Sequence, residues 1–229
     1  MKIVLLPGLD GTGLLFKPFV EALPNDTDIL LIRYPESKKQ SYSELVNYVL
    51  PQLPEEDYIL VGESFSGNVV YQIALSNPKH LKKVIFVASF LSSPRPWLLK
   101  IINLIPSKIL FLAPPPKILI KSFMLGFSAK ESIIQLFLEA LKQVSPDVLS
   151  FRLKEINKLK DSTNPSNNKN NIEAYYIQAT NDYLVPSKSV EAFEKCFSNL
   201  TVFKINGSHF ILQSKPIECA KVVETAIQI

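Results

Sequence analysis

Few residues in this chain combine reactive chemistry with suggestive spacing. The clearest group is Gly62-Glu63-Ser64-Phe65-Ser66-Gly67, which lies where an apolar run at 58–61 gives way to a helical pattern. A Ser on a sharp turn between strand and helix carries its hydroxyl clear of the sheet edge. Residues two before and two after it must be small; Gly62 meets that demand and Ser66 meets it approximately. The N-terminus of the following helix offers unpaired N–H groups and a positive dipole end to a developing anion. Ser64 is therefore a candidate nucleophile, and a hydroxyl nucleophile needs a base.

The chain holds two His. His80 follows Ser64 by 16 residues. Through a mostly helical connection it lies on the order of 20 Å away, at the opposite end of the sheet. It reads as a surface residue beside Lys79 and Lys82. His209, within Asn206-Gly207-Ser208-His209-Phe210, falls just past the apolar run 201–205 and is the candidate base. An imidazole in that role needs a carboxylate to fix its tautomer. Asp182, within Thr180-Asn181-Asp182-Tyr183, follows the run 172–178; a turn-forming Asp is its plain alternative. Both positions are C-terminal strand ends, where sites form in parallel sheets. No acidic residue follows the run 84–87, where Ala88-Ser89-Phe90 stands.

Attack on a carbonyl also requires donors for the oxyanion. Phe65, directly after Ser64, can supply one from its backbone. A second donor is expected in Pro7-Gly8-Leu9-Asp10-Gly11-Thr12-Gly13, whose glycines let the backbone approach a ligand. A phosphate cradle is the competing use of such a loop, but no Gly-Lys-Ser/Thr follows and the dinucleotide spacing of glycines is absent. Asp10 has three candidate roles: orienting this loop, touching a substrate, or capping a helix.

The elements that must position these residues alternate along the chain. Apolar runs at 2–6, 28–34, 58–61, 84–87, 172–178 and 201–205 predict strands; helical spacing marks 14–23, 41–53, 64–76, 187–197 and 216–227. Strands that are apolar throughout imply burial on both faces. The expected architecture is thus α/β, a mostly parallel sheet of about six strands flanked by helices. The rhythm breaks in 91–160, which is rich in Pro and shows no strand. There, Ser128 with Glu131 predicts a capping-box helix, and Ser145 with Pro146 predicts a second helix. We read 91–160 as a helical lid inserted into a core of 1–90 and 161–229, with a loop at 161–171. Its apolar stretch from Trp97 onward is expected to pack partly on the body. The remainder would line an apolar channel above Ser64, with Trp97 among the substrate contacts. Peripheral membrane contact through the lid is a further alternative.

The formal charge of +4 is spread as single Lys residues, and the pairs Lys38-Lys39 and Lys82-Lys83 lack the interleaved aromatics of a nucleic-acid groove. Cys196 and Cys219 read as two buried thiols, with one dispensable disulfide as the alternative. The apolar stretch before Pro7 is too short for a signal peptide. No apolar run is long enough for a spanning helix, so a cytoplasmic protein without a transmembrane segment is expected.

The order Ser64, Asp182, His209, together with the Gly-rich loop, resembles the α/β-hydrolase superfamily over nearly the whole chain. Ser66, where Gly is usual, is the one departure in the motif. The resemblance implies a minimal α/β-hydrolase fold lacking the leading antiparallel hairpin, and it places the second oxyanion donor at Leu9. It further implies a serine esterase or thioesterase with no cofactor and no metal. The substrate would be a small-molecule ester or acyl thioester, free or carrier-bound. Acyl transfer to an alcohol by the same acyl-enzyme, and ligand binding without turnover, are the alternatives.

Overall fold

A strand that is apolar on both faces must be covered on both sides, and that condition organises the chain. The structure, a computed structural model, describes residues 1–97, 99, 100, 118, 120–126, 130–159 and 169–228. Strands β1 (Lys2–Leu6), β2 (Ile29–Leu31), β3 (Tyr58–Glu63), β4 (Leu81–Val87), β5 (Asn170–Ala179) and β6 (Phe197–Ile205) form one sheet. Their order is β2-β1-β3-β4-β5-β6, and every neighbouring pair is parallel. The helices are α1 (Lys17–Val20), α2 (Tyr42–Val49), α3 (Ser66–Leu75), α4 (Glu131–Gln143), α5 (Pro146–Lys158), α6 (Val190–Cys196), α7 (Ile211–Ser214) and α8 (Pro216–Gln228).

Alternate strand residues feed two cores. Val4, Leu6, Leu60, Val84 and Phe86 pack with Leu45, Val69, Ile73 and Phe193, from helices α2, α3 and α6. Ile3, Leu5, Ile59, Val61, Ile85 and Val87 pack with Phe19, Cys219 and Val223, from α1 and α8. From β1 the chain moves outward to β2, then returns to place β3 on the other flank of β1. This reversal opens a crevice at the C-terminal ends of β1 and β3. Leu6 pairs with Gly62 as the last register match, so the loop after β1 and the turn after β3 leave the sheet side by side.

Within 91–160, α4 buries Ile134, Phe137 and Ala140 against Leu15, Ile120, Leu125 and Phe210. Helix α5 buries Val148 and Leu149 with Val144, and sends Ile156 into the first core. It starts as expected, after Ser145 with Pro146 in its first turn. Helix α4 begins at Glu131 behind Lys130, with no side-chain cap. The predicted cap Ser128 lies outside the described residues, as does most of 161–171.

Other boundaries shift for physical reasons. The expected helix 14–23 is a 3-10 turn, Leu14–Phe16, followed by the short α1. Bonds from Ala22 to Phe19 and from Leu23 to Val20 close it in a tighter turn. Strand β6 starts at Phe197, which pairs with Asn170 of β5, so the predicted helix 187–197 ends one residue sooner. Its polar start hid it: β6 is an edge strand, exposed at Ser198 and Asn199. Cys219 is buried but Cys196 only half-buried, and both are free thiols. Among the described residues, no helix is long and apolar enough to cross a membrane.

Phe86 is fully buried, with its ring 4.5 Å from that of Phe193 and 5.4 Å from that of Phe197. Phe86→Ala is expected to lower stability by about 3–5 kcal/mol, read as a shift of the urea midpoint.

Candidate active site

Strand β3 ends at Glu63 and α3 begins at Ser66, so Ser64 sits between them rather than inside the helix. Its φ is +49°, in the left-handed region. For a residue with a side chain this costs about 1–3 kcal/mol, and the surroundings must hold it. The Ser64 N–H donates to the Val87 carbonyl at 2.8 Å, and the Gly67 N–H donates to the Ser64 carbonyl at 3.1 Å. A Cβ at Gly62 would lie 2.5 Å from Cγ2 of Val70 and 2.9 Å from the Ser66 carbonyl oxygen, so the turn closes only over a glycine. Ser66 does more than fit. Its buried hydroxyl pairs with the Tyr34 hydroxyl at 2.5 Å and donates to the Pro7 carbonyl. It ties the Ser64 turn to the loop after β1.

His209 Nε2 lies 3.0 Å from Ser64 Oγ, and His209 Nδ1 lies 2.7 Å from Asp182 Oδ2. The other carboxylate oxygen of Asp182 accepts the N–H groups of Leu184 and Val185, both at 2.8 Å. The carboxylate is therefore fixed by its own turn, and it favours the tautomer with the proton on Nδ1. Nε2 is left to accept the Ser64 proton. The two loops are joined by Asn181, whose N–H donates to the Gly207 carbonyl at 2.9 Å and whose side-chain amide donates to Asn206 at 2.7 Å. Burial of His209 disfavours the imidazolium. The charge and hydrogen bond of Asp182, with the Glu63 charge behind, outweigh that and hold the ring above its ordinary 6.5. His80 stands apart, as predicted. Its carbonyl accepts the N–H of Tyr58 at the start of β3, and its ring lies 3.3 Å from Asp57.

The loop after β1 is pinned through its carbonyls. Ser66 holds that of Pro7, the Gly11 N–H that of Gly8, Arg152 those of Leu9 and Asp10, and the Tyr34 N–H that of Gly11. Among the described residues, no acceptor takes the N–H of Leu9 or of Phe65. The two expected donors are thus left free. Asp10 turns its carboxylate back into the loop, accepting the Thr12 N–H at 2.9 Å and the Thr12 hydroxyl at 2.5 Å. Of its three candidate roles, this geometry fits loop orientation. Trp97 is 62 % exposed, on the surface.

Sequence reasoning missed Arg152, Tyr34 and the pair Glu63–Gln213. Glu63 lies inside the motif, next to Ser64, but nothing in the sequence marks its burial. Its carboxylate is buried and accepts the Gln213 amide at 3.0 Å. Burial pushes its pKa up to about 7; the Gln213 bond opposes this, the Asp10 charge adds to it, and the His209 charge opposes it. Beside His209, Phe210 meets Phe137 of α4 edge-on at 5.4 Å between centroids, within the apolar cluster that includes Ile120 and Leu125.

No family model matches the chain, and no curated protein matches it in sequence. Solved structures do match. A lipase-esterase related protein from Clostridium acetobutylicum superposes with a TM-score of 0.76 at 18 % identity, over 98 % of this chain and 93 % of that one. The enol-lactonase from Burkholderia xenovorans gives 0.78 at 15 % identity, over 100 % and 91 %. A type II thioesterase from the borrelidin biosynthetic cluster gives 0.71 at 15 % identity, over 98 % and 91 %. This chain has the α/β-hydrolase fold. Here the α/β-hydrolase sheet has six strands, all parallel, as the alternation of apolar runs implied.

Glu63 carries a consequence for stability. Its folded pKa of about 7 is raised above the ordinary 4.5, so its contribution is complete below 4.5 and is lost as pH rises through 7. Glu63→Gln removes that loss. Relative to wild type, the variant is expected to gain on the order of 2 kcal/mol between pH 5 and pH 8, measured by urea unfolding at both.

Proposed function

We propose that the chain is a serine hydrolase that cleaves a carboxylic ester or thioester through an acyl-enzyme on Ser64. The observation that carries this reading is the unbroken contact from Ser64 Oγ through His209 to Asp182, at 3.0 and 2.7 Å. Ser64 attacks the carbonyl carbon while His209 Nε2 takes its proton. Asp182 stabilises the imidazolium without accepting the proton. The tetrahedral oxyanion is received by the free N–H groups of Phe65 and Leu9. Collapse expels the alcohol or thiol, protonated by His209. Water, deprotonated by His209, then attacks the acyl-enzyme, and the acid leaves as Ser64 recovers its proton. The oxyanion donors act on the tetrahedral carbon's oxygen and not on the leaving atom, so esters and thioesters suit the same site.

The structural neighbours, a lipase-esterase related protein, an enol-lactonase and a thioesterase, agree with acyl chemistry of this kind. In this reading, segment 91–160 acts as the lid. The cluster of Leu15, Ile120, Leu125, Ile134, Phe137 and Phe210 beside the His209 loop favours an apolar acyl group over a charged one.

A fluorophosphonate probe is expected to label wild-type protein on Ser64, with mass spectrometry locating the adduct. Folded protein that fails to react there refutes the reading. With a nitrophenyl ester of medium chain length, Ser64→Ala and His209→Ala are each expected to lower kcat by about 10⁴–10⁶ without loss of fold, and Asp182→Asn by about 10⁴. The base works only when neutral. Because Asp182 and Glu63 hold His209 above 6.5, kcat/KM is expected to fall on the acid side through a pKa higher than 6.5. A rate profile from pH 5 to 9 measures it.

A further inference from the structure

Arg152 lies in the middle of α5, within segment 91–160, and is 1 % exposed. A buried guanidinium is expensive unless its donors are met. Among the described residues its hydrogen bonds run to main-chain carbonyls rather than to a carboxylate. Nη1 donates to the carbonyls of Leu9 at 2.9 Å and Asp10 at 2.7 Å, and Nη2 donates to that of Pro35 at 3.0 Å. The guanidinium carbon sits 5.6 Å from the centre of the Tyr34 ring, whose hydroxyl in turn holds Ser66. The seat is shaped for this fork. A Cβ at Gly11 would fall 2.5 Å from Nη1, and Gly11 has a φ of +74° that disfavours any side chain. A lysine ammonium is a point charge, whereas the planar guanidinium can reach several carbonyls in fixed directions.

Two of these contacts fall on the successive peptide groups that follow Leu9, the residue whose free N–H faces the proposed oxyanion. We propose that Arg152 is a positioning residue. By holding the Leu9 and Asp10 carbonyls it sets the tilt of that stretch of backbone, and so aims the Leu9 N–H at the tetrahedral intermediate. The inference rests on the acyl-enzyme reading of Ser64. Core packing alone would be served by an apolar side chain at 152. The fork instead links a helix of the inserted segment to the backbone of the loop after β1, which Ser66 ties separately at Pro7.

The test compares wild type, Arg152→Lys and Arg152→Met. Fold is followed by thermal unfolding, acylation by nitrophenyl ester turnover, and oxyanion affinity by inhibition with a trifluoromethyl ketone of the same acyl group. Displacing a reacting group by about 1 Å lowers rates by about 100-fold, so Arg152→Met is expected to acylate about 10- to 100-fold more slowly. KM should stay within about threefold of wild type, and trifluoromethyl ketone affinity should fall in step with kcat/KM. Arg152→Lys, able to keep one contact, should fall between the two. Folded variants with wild-type kcat would overturn the proposal. So would a loss confined to KM, or failure of both variants to fold, which would make Arg152 a stabilising residue only. Fluorophosphonate labelling of wild type is run alongside. A wild type that does not react refutes the acyl-enzyme reading itself, and the inference with it.

Discussion

Ser64 is held in a backbone conformation that its side chain disfavours, and the arrangement around it depends on that restraint. At φ +49° the chain turns from β3 into α3 in two residues, which throws Oγ outward instead of along the strand. Restraint comes from below and from both sides. Val87 receives the Ser64 N–H, Val70 packs where a Gly62 side chain would be, and Ser89 fills the space over Gly67. Ser89 is itself fixed, donating to the carbonyls of Gly62 at 3.1 Å and Val87 at 2.9 Å. The strain is thus carried by a buried lattice of short contacts. Without them the chain would relax toward the ordinary helical region, and Oγ would leave the reach of His209.

The second constraint is electrostatic. Asp10, Glu63, Arg152 and His209 are all buried near the ends of β1 and β3. Each is satisfied differently. Asp10 is closed by Thr12, Arg152 by carbonyls, His209 by Asp182, and Glu63, among the described residues, by the Gln213 amide. Burial accordingly pushes the Glu63 carboxyl up to about 7, toward neutrality. A carboxylate in that place works against its neighbour Asp10 and in favour of a protonated His209. The His209 ring is therefore tuned from two directions, by a partner in contact and by a second charge behind it.

The fold was legible because its signals are local and repeated. Runs such as Ile3-Val4-Leu5-Leu6 and Ile59-Leu60-Val61 can be buried on both faces only in a covered parallel sheet. The trio of Ser64, Asp182 and His209 was legible for a related reason: each directly follows such a run, and parallel strands bring their C-terminal ends to one edge. What stayed hidden depends on partners far apart in sequence. Ser66 looked like a tolerated substitute for Gly, since nothing near it announces a hydroxyl acceptor. Its partners are Tyr34 and Pro7, 32 and 59 residues away. Arg152 carries no local signal, because an isolated Arg in a helical stretch looks like any solvent-facing charge. Its carbonyl partners lie 117 to 143 residues away. The start of β6 was missed because an edge strand owes its order to pairing with β5 rather than to apolar pattern.

The loop after β1 shows how a backbone can be made electropositive without a cation pointing at the ligand. A peptide group is a dipole, and fixing its carbonyl also fixes where its N–H points. Five successive carbonyls, from Pro7 to Gly11, are each bound from the protein side, by hydroxyl, guanidinium or main-chain donors. With the acceptors occupied, the loop cannot turn a carbonyl toward the crevice without breaking a buried hydrogen bond, which costs about 1–3 kcal/mol for each group left unmet. The N–H of Leu9 is among the loop's donors that no acceptor takes within the described residues. Two of those anchors, Ser66 and Arg152, come from different helices, so the loop is held by α3 and α5 jointly. In the acyl-enzyme reading, the preference for a developing negative charge follows from how the loop's acceptors are consumed, and Gly11 is what lets the Arg152 guanidinium come close enough, since a Cβ there would fall 2.5 Å from Nη1.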